Sequence, residues 1–274
     1  MAVNETKAIT AEQHGVGYTL DGHVAVIELR RPSAGNALDV SLRLGLLAAV
    51  RRVHSDGDLV RAVLLTALGR NFCVGQDLKE HSRALESASH SAFAIVRREY
   101  NPLVEALDTL PQPVVAAVEG ACVGAGLGLA LCADVRVAAE RATFSTAFTG
   151  IGLAADSGLS RRLPQAVGPS RAAPLMLLGD RFGSEDALQW GLVHRVVPDG
   201  GAAAEGLDLA RRLAAGPTTA YREVKALLRN SDGAGLSTAL EREAAAQERL
   251  GRTEDHRAAV QAFLAGHRPS FSGH

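Results

Sequence analysis

Residues 113–163 read PVVAAVEGACVGAGLGLALCADVRVAAERATFSTAFTGIGLAADSGLSRRL. The apolar run from Val114 to Val118 has the composition of a buried strand, and it passes through a glycine-rich turn into a helical pattern beginning near Gly124. Gly120, Gly124 and Gly126 let backbone approach a ligand closely, and the unpaired N–H groups of a helix start favour developing negative charge. About thirty residues later a lone acid, Asp156, lies between Ala155 and Ser157. Backbone donors in one place and a carboxylate in another are the parts of an oxyanion hole with a partner acid.

Two earlier segments share this strand–turn–helix form: VAVIELRRPSAGNAL from Val24 and RAVLLTALGRNFCVGQDL from Arg61. Each opens on a run of Val, Ile or Leu, meets a turn marked by Pro or Gly, and continues as helix, so the chain carries a loose internal repeat. Leu42, Leu46, Val50 and Val53, and a helix expected over 93–110, space their apolar residues at three and four, which predicts stripes facing a common core. Further strands are expected at 135–138 and 193–197, with Pro198, Asp199, Gly200 and Gly201 marking a boundary. Beyond it, 203–213, 218–228 and 236–250 are rich in Ala, Leu, Glu and Arg and read as helices only. The expected division is a core over 1–198 and a helical region over 199–274.

Composition narrows the classes. At 274 residues with 47% hydrophobic content the chain can bury a large core, and no apolar run approaches the roughly eighteen residues of a membrane span. A net charge of −1 and the lack of a basic run argue against nucleic acid. Cys73, Cys122 and Cys132 are an odd number without metal-ligand spacing, and residues 1–15 lack the segments of an export signal. A cytoplasmic protein with no metal is expected.

The segments NFCVGQDLKE (71–80), AVEGACVGAGLGLALCADVRVAAERATF (117–144), GIGLAADSGLSRRLPQAVG (150–168), GLVHRVVP (191–198) and the AFLAGHRPSFSGH ending resemble the crotonase superfamily of enoyl-CoA hydratases and isomerases. The likeness runs through nearly the whole chain in order. It implies an α/β fold, a spiral of ββα repeats with a C-terminal helical trimerisation region, assembled as a homotrimer or a dimer of trimers. It also implies an acyl-CoA thioester as ligand, with coenzyme A entering as part of the substrate rather than as a cofactor. The family's two oxyanion-hole N–H groups map onto Gln76 and Ala125; in comparable enzymes losing one such donor costs about 3 kcal/mol. Ser33, Asn36, Ala37 and Leu38 fall in the family's adenine and phosphate loop, and Leu78 and Lys79 follow the first donor. Phe263 lies on the C-terminal helix that the family brings near a neighbouring subunit's coenzyme. Lys79 is either a mobile charge for phosphate, with Arg30 or Arg31 assisting, or a solvated charge beside a helix start. Ser33 stands where many relatives carry Lys.

Hydratases of the family use two glutamates, and the matching positions here are Gly128 and Phe148, neither of which transfers a proton. Restoring Glu at both is expected to raise hydration. Asp156 instead stands where dienoyl-CoA isomerases and the ring-epoxide isomerases of phenylacetate degradation carry an aspartate. Phe144, Phe148, Gly152, Leu153, Gly158 and the run RLGRTEDHRAAVQAFL (249–264) are similar to the latter, the 1,2-epoxyphenylacetyl-CoA isomerase-like subgroup. One carboxylate suits an isomerase, since it can take a proton from one carbon and return it to another. Flanked by Leu153, Ala154 and Ala155, Asp156 either has a raised pKa through desolvation or caps the next helix. Gly128 is expected to leave room for a bulky acyl group. His81 and His90 read as surface histidines, and Cys73 as a small buried filler. The function expected is acyl-CoA isomerisation of a 3-enoyl or ring-epoxide phenylacetyl thioester. A hydratase or lyase recruiting another acid, and a non-catalytic acyl-CoA-binding protein, are the alternatives.

Overall fold

The computed structural model describes residues 14–231 and 233–274, without the side chains of 88–91. The leader reading of residues 1–15 and the reading of His90 therefore fall outside the described residues, apart from positions 14 and 15.

The described residues open on a hairpin that buries Val16, Tyr18, Ala25, Ile27 and Leu29 in the core: β1 (Val16–Asp21) pairs antiparallel with β2 (Val24–Leu29) about Gly22. In α1 (Val40–Asp56) the Asp39 carboxylate accepts from the Leu42 N–H at 2.9 Å, capping the helix, and Leu42, Leu46, Ala49, Val50 and Val53 form its buried stripe. Next come β3 (Ala62–Ala67), α2 (Leu78–Ala92), a π-helical turn at Val96–Tyr100 and α3 (Asn101–Asp108). The helix expected over 93–110 is continuous over 94–108, with a turn at 96–100 that winds more widely than an α-helix.

The third unit gives β4 (Val114–Val118), β5 (Ala121–Val123), α4 (Ala125–Leu131), β6 (Val135–Ala139) and β7 (Thr143–Ser145). Then follow α5 (Leu159–Val167), α6 (Pro169–Leu178), β8 (Phe182–Gly183), α7 (Ser184–Gln189) and β9 (Arg195–Val197). One sheet runs β1-β2-β3-β4-β6-β9, parallel after its first pair, and a smaller sheet runs β5-β7-β8. Isolated bridges, Leu38 to Gln76 and Cys73 to Cys122, carry the pairing of the smaller layer back to the earlier repeats. The spiral of ββα units that the family resemblance implies is present.

The boundary expected at residue 198 lies inside the packed body. Helix α8 (Ala202–Ala214) buries Ala202, Ala210 and Ala214 against Leu64, Val115, Ala117 and Val137 on the outer face of the large sheet. Gly206 allows that approach, since a Cβ there would stand 3.0 Å from the Cβ of Ala117. Helix α9 (Thr218–Arg229) is tied down by Arg61 Nε donating to Thr218 Oγ1 at 2.8 Å and by the Lys225–Asp134 ion pair at 2.6 Å. Helices α10 (Leu236–Leu250) and α11 (Glu254–Leu264) complete the chain; Thr253 caps α11, accepting from the His256 N–H at 3.1 Å. The Asp255 carboxylate holds the C-terminal strand of chain, accepting from the N–H groups of Ser272 at 2.7 Å and Gly273 at 2.9 Å. Among the described residues no helix is long and apolar enough to cross a membrane.

Candidate active site

The loops before α1, α2 and α4 and the segment 146–156 converge on a cleft of about 560 Å³. Two of these loops are zipped together by backbone. Cys73 N–H donates to Ala121 O at 3.0 Å and Val123 N–H to Cys73 O at 2.9 Å. Both chains then turn at a glycine in the left-handed region, Gly75 at φ 90° and Gly124 at φ 56°. A Cβ on Gly75 would lie 3.0 Å from Val123 O, so the close approach requires glycine there.

The two amides that follow these glycines are left unpaired for different reasons. Leu38 N–H donates to Gly75 O at 2.8 Å and Asp77 N–H to Leu38 O at 3.2 Å, so the bridge uses the groups on either side of Gln76 and not its own N–H. Ala125 is the first residue of α4, where no intrahelical acceptor exists. Among the described residues neither N–H donates to another group of the chain, and both residues line the cleft.

Asp156 faces the same space. Ser157 Oγ donates to Asp156 Oδ1 at 2.8 Å. Burial raises the Asp156 carboxyl above its ordinary value, with the Ser157 bond opposing. The capping alternative is not realised: the N-cap of α5 is Gly158 with no side-chain bond, and Asp156 offers that helix only its backbone oxygen, to Leu159 N–H at 3.1 Å. Three non-glycine residues among those described have positive φ, and all belong to the loops of this region: Asn36 at 54°, Ala147 at 60° and Ser157 at 53°. Left-handed backbone outside glycine is retained where the surrounding structure fixes it.

Asp77 is the other acid that lines the cleft among the described residues, and it is committed elsewhere. It pairs with Arg31 at 2.7 Å and caps α2, accepting from the N–H groups of Lys79 at 2.9 Å and Glu80 at 3.1 Å. Burial alone would raise its carboxyl, but the Glu80 N–H and the Arg31 guanidinium outweigh that and hold it low.

Ser33, Ala37, Leu78 and Lys79 line the cleft, and Lys79 is exposed with no ion pair among the described residues. Arg31 also lines it, but its guanidinium is bound to Asp39 and Asp77, while Arg30 turns to Glu28 at 2.6 Å. Asn36 and Leu38 are corrections, since neither side chain lines the cleft. Asn36 is fully buried and staples its loop, its Oδ1 accepting from Arg31 N–H at 2.7 Å and its Nδ2 donating to Leu68 O at 3.0 Å and Asn71 O at 2.8 Å. Leu38 is wholly within the core. Phe263 is 82% exposed on α11 and does not line this chain's own cleft.

Gly128 is a further correction. A Cβ there would stand 2.6 Å from Ser157 O and 2.7 Å from Ser157 Cβ, so the space expected for a bulky acyl group is filled by the turn at 157. Phe148, in contrast, lines the cleft. His81 is not a plain surface residue: its Nδ1 lies 3.2 Å from Gln76 Nε2 and its ring meets Phe93 edge-on at 5.4 Å. Behind it a second cavity of about 370 Å³ is floored by Arg43, buried between Glu80 at 2.6 Å and Glu99 at 2.8 Å. That ion cluster joins residues far apart in sequence, and no local pattern announces it. Cys73 is the buried filler expected, its thiol pushed up to about 12 by burial against the Gly75 backbone bond.

Residues 19–274 match the family model described as enoyl-CoA hydratase/isomerase. A protein of Rhodobacter capsulatus described as a probable enoyl-CoA hydratase is 40% identical over 260 residues, 95% of this chain and 98% of the relative. The 1,2-epoxyphenylacetyl-CoA isomerase of Escherichia coli is 38% identical over 250 residues, 91% of this chain and 95% of the relative. Among solved structures, one from Mycobacterium abscessus assigned as an enoyl-CoA hydratase/isomerase superposes with a TM-score of 0.92 at 54% identity, covering 94% of this chain and all of that one.

Proposed function

The chain belongs to the enoyl-CoA hydratase/isomerase family, and on that footing we propose that it is an acyl-CoA isomerase in which Asp156 carries the proton. One observation carries this reading: among the described residues two carboxylates line the cleft, of which Asp77 is bound to Arg31 and Asp156 is available, while positions 128 and 148 hold no acid. Adding water across a double bond calls for coordinated acid and base groups, whereas moving a double bond needs one group used twice.

For a 3-enoyl thioester, the Asp156 carboxylate takes a proton from C2 and the released electron pair flows toward the thioester carbonyl. The oxygen gains charge between the Gln76 and Ala125 N–H groups, which act where charge develops and need not reorganise. The same proton returns at C4 as the double bond settles between C2 and C3. Substrate and product have one composition. Rearrangement of a ring-epoxide phenylacetyl thioester is the second candidate reaction, favoured by the 38% identity to the isomerase of that name. Lys79, with Ser33 beside the same cleft, is the cation offered to the coenzyme phosphates.

We further propose that the exposed apolar side chains of α10 and α11, Leu236, Leu240, Phe263 and Leu264, are covered by neighbouring subunits in a trimer or a pair of trimers. The three unpaired, buried cysteines fit a reducing compartment such as the cytoplasm.

Incubation with 3-enoyl, 2-enoyl and ring-epoxide phenylacetyl thioesters, followed by separation and mass detection, tests the reading. Isomeric products of unchanged mass are expected. A product heavier by one water would assign hydration, the reaction in the name of the 40% identical relative, and binding without any product would assign an acyl-CoA carrier.

A further inference from the structure

Helix α4 and the carboxylate at 156 are connected through Ser157. The turn at 157 rests directly on the helix backbone at Gly128, where even a methyl group would stand 2.6 Å from Ser157 O. Ser157 is buried and left-handed, at φ 53°, although glycine would hold that conformation without strain. What serine supplies there and glycine would not is the hydroxyl, and that hydroxyl is spent on Asp156 Oδ1 at 2.8 Å. Among the described residues no other hydrogen bond reaches the Asp156 carboxylate, which leaves Oδ2 for the cleft.

We infer that Ser157 is a positioning residue which, seated on the bare backbone of Gly128, aims the Asp156 carboxylate with one oxygen held and the other presented to substrate. This rests on the reading of Asp156 as the proton carrier. Two opposed influences then meet on one group: burial favours the neutral acid, and the hydroxyl favours the carboxylate that a base must be. The other charged groups lining the cleft are the mutually paired Arg31 and Asp77, and Lys79. Tyr100, from the π-helical turn, feels the Asp156 charge; burial foremost, with Asp156 adding, pushes its hydroxyl up and keeps it protonated against the lowering influence of Arg43.

The test is the pH dependence of kcat/KM for isomerisation in Ser157→Ala, Ser157→Gly and Gly128→Ala, with thermal melts and acyl-CoA affinity on each. Ser157→Ala is expected to move the acidic limb to higher pH, lowering the rate on that limb by about tenfold, the lower end of what a hydrogen bond to a charged group contributes. Affinity should stay close to the unmodified value, and the melting temperature should be unchanged in acid and slightly lower at neutral pH, where the carboxylate is ionised without its hydrogen bond. Ser157→Gly relieves the backbone, so it should melt no lower and yet show the same displaced limb. Gly128→Ala pushes the turn off the helix and should lower the rate at every pH while acyl-CoA still binds. A Ser157→Ala profile superimposed on the unmodified one, or a Ser157→Gly profile that is unmoved, would overturn the inference. Asp156→Asn run alongside separates the two levels: an inactive Asp156→Asn with an unmoved Ser157→Ala profile defeats only the role of Ser157, whereas an active Asp156→Asn defeats the reading beneath it.

Discussion

Gly75 and Ala125 are held so close that a Cβ on the first would lie 3.6 Å from the amide nitrogen of the second. The two candidate oxyanion donors come from different repeats of the spiral, and their spacing is set by backbone alone: the Cys73–Val123 ladder brings the chains together and paired glycines turn them. Side chains contribute little to this part of the site.

Gly75→Ala is therefore expected to damage catalysis by spreading the loops. The residue sits at φ 90°, where a side chain is strained, and its Cβ would press on Val123 O at 3.0 Å. A loss of stability of about 1–3 kcal/mol and a fall in kcat of about a hundredfold are expected. Thermal melts and steady-state rates on one preparation check both. A variant with native kcat would show that the donors lie elsewhere.

Asp156 has a signature in stability as well as in rate. Its folded value is raised by burial, so its contribution to stability is full below the unfolded carboxylate value and is lost as pH climbs through the folded value. Asp156→Asn should then cost no stability at neutral pH, and its melting temperature relative to the unmodified chain should rise from acid to neutral pH. The acidic limb of kcat/KM should lie above the ordinary carboxylate range. A melting difference that runs the other way with pH would mean the carboxylate is stabilised, not strained, by its surroundings.

Much of this site is legible in the sequence because it is written in glycines and in one acid. Gly124 and Asp156 announce a close backbone approach and a carboxylate without any knowledge of packing. Gly128 shows where that legibility ends: it reads as empty space, but the turn at 157 fills it, and nothing local predicts a left-handed serine. Asn36 and Leu38 sit in the expected loop and yet point inward, because a loop's register does not say which of its side chains face the ligand. Whether the helices beyond 198 pack back over the core or on neighbouring subunits stays open in the sequence for a related reason: an alanine-rich helix does not name what it covers, and only the small residues of the sheet beneath α8, such as Ala117, show it.

Hydration should be very slow in the unmodified chain, as judged by crotonyl-CoA absorbance. The expectation that Glu at 128 and 148 restores it is revised by the packing at Gly128, since a Glu there must displace Ser157. The double variant should gain no hydration and should lose isomerisation. Rapid hydration by the unmodified chain would reveal an acid outside the set described.

The exposed face of α10 and α11 predicts assembly. Phe263 and Leu264 are 82% and 79% exposed, and Leu236 is 76% exposed, which leaves a large apolar surface uncovered on a single chain. Phe263→Ser with Leu264→Ser should lower the mass measured by light scattering while leaving the core fold, judged by circular dichroism, unchanged. Deleting residues from Gly235 onward should lower oligomeric mass and acyl-CoA affinity together. An unmodified protein that stays monomeric at micromolar concentrations would contradict this arrangement.

The most direct measurement is turnover of a 3-enoyl and a ring-epoxide phenylacetyl thioester by Asp156→Asn, beside acyl-CoA affinity of the same variant. Asparagine keeps the shape of the side chain and removes the base. Isomerisation is expected to fall by about a hundredfold or more with affinity retained. Turnover at the unmodified rate, on a thioester that the unmodified chain isomerises, would contradict the account.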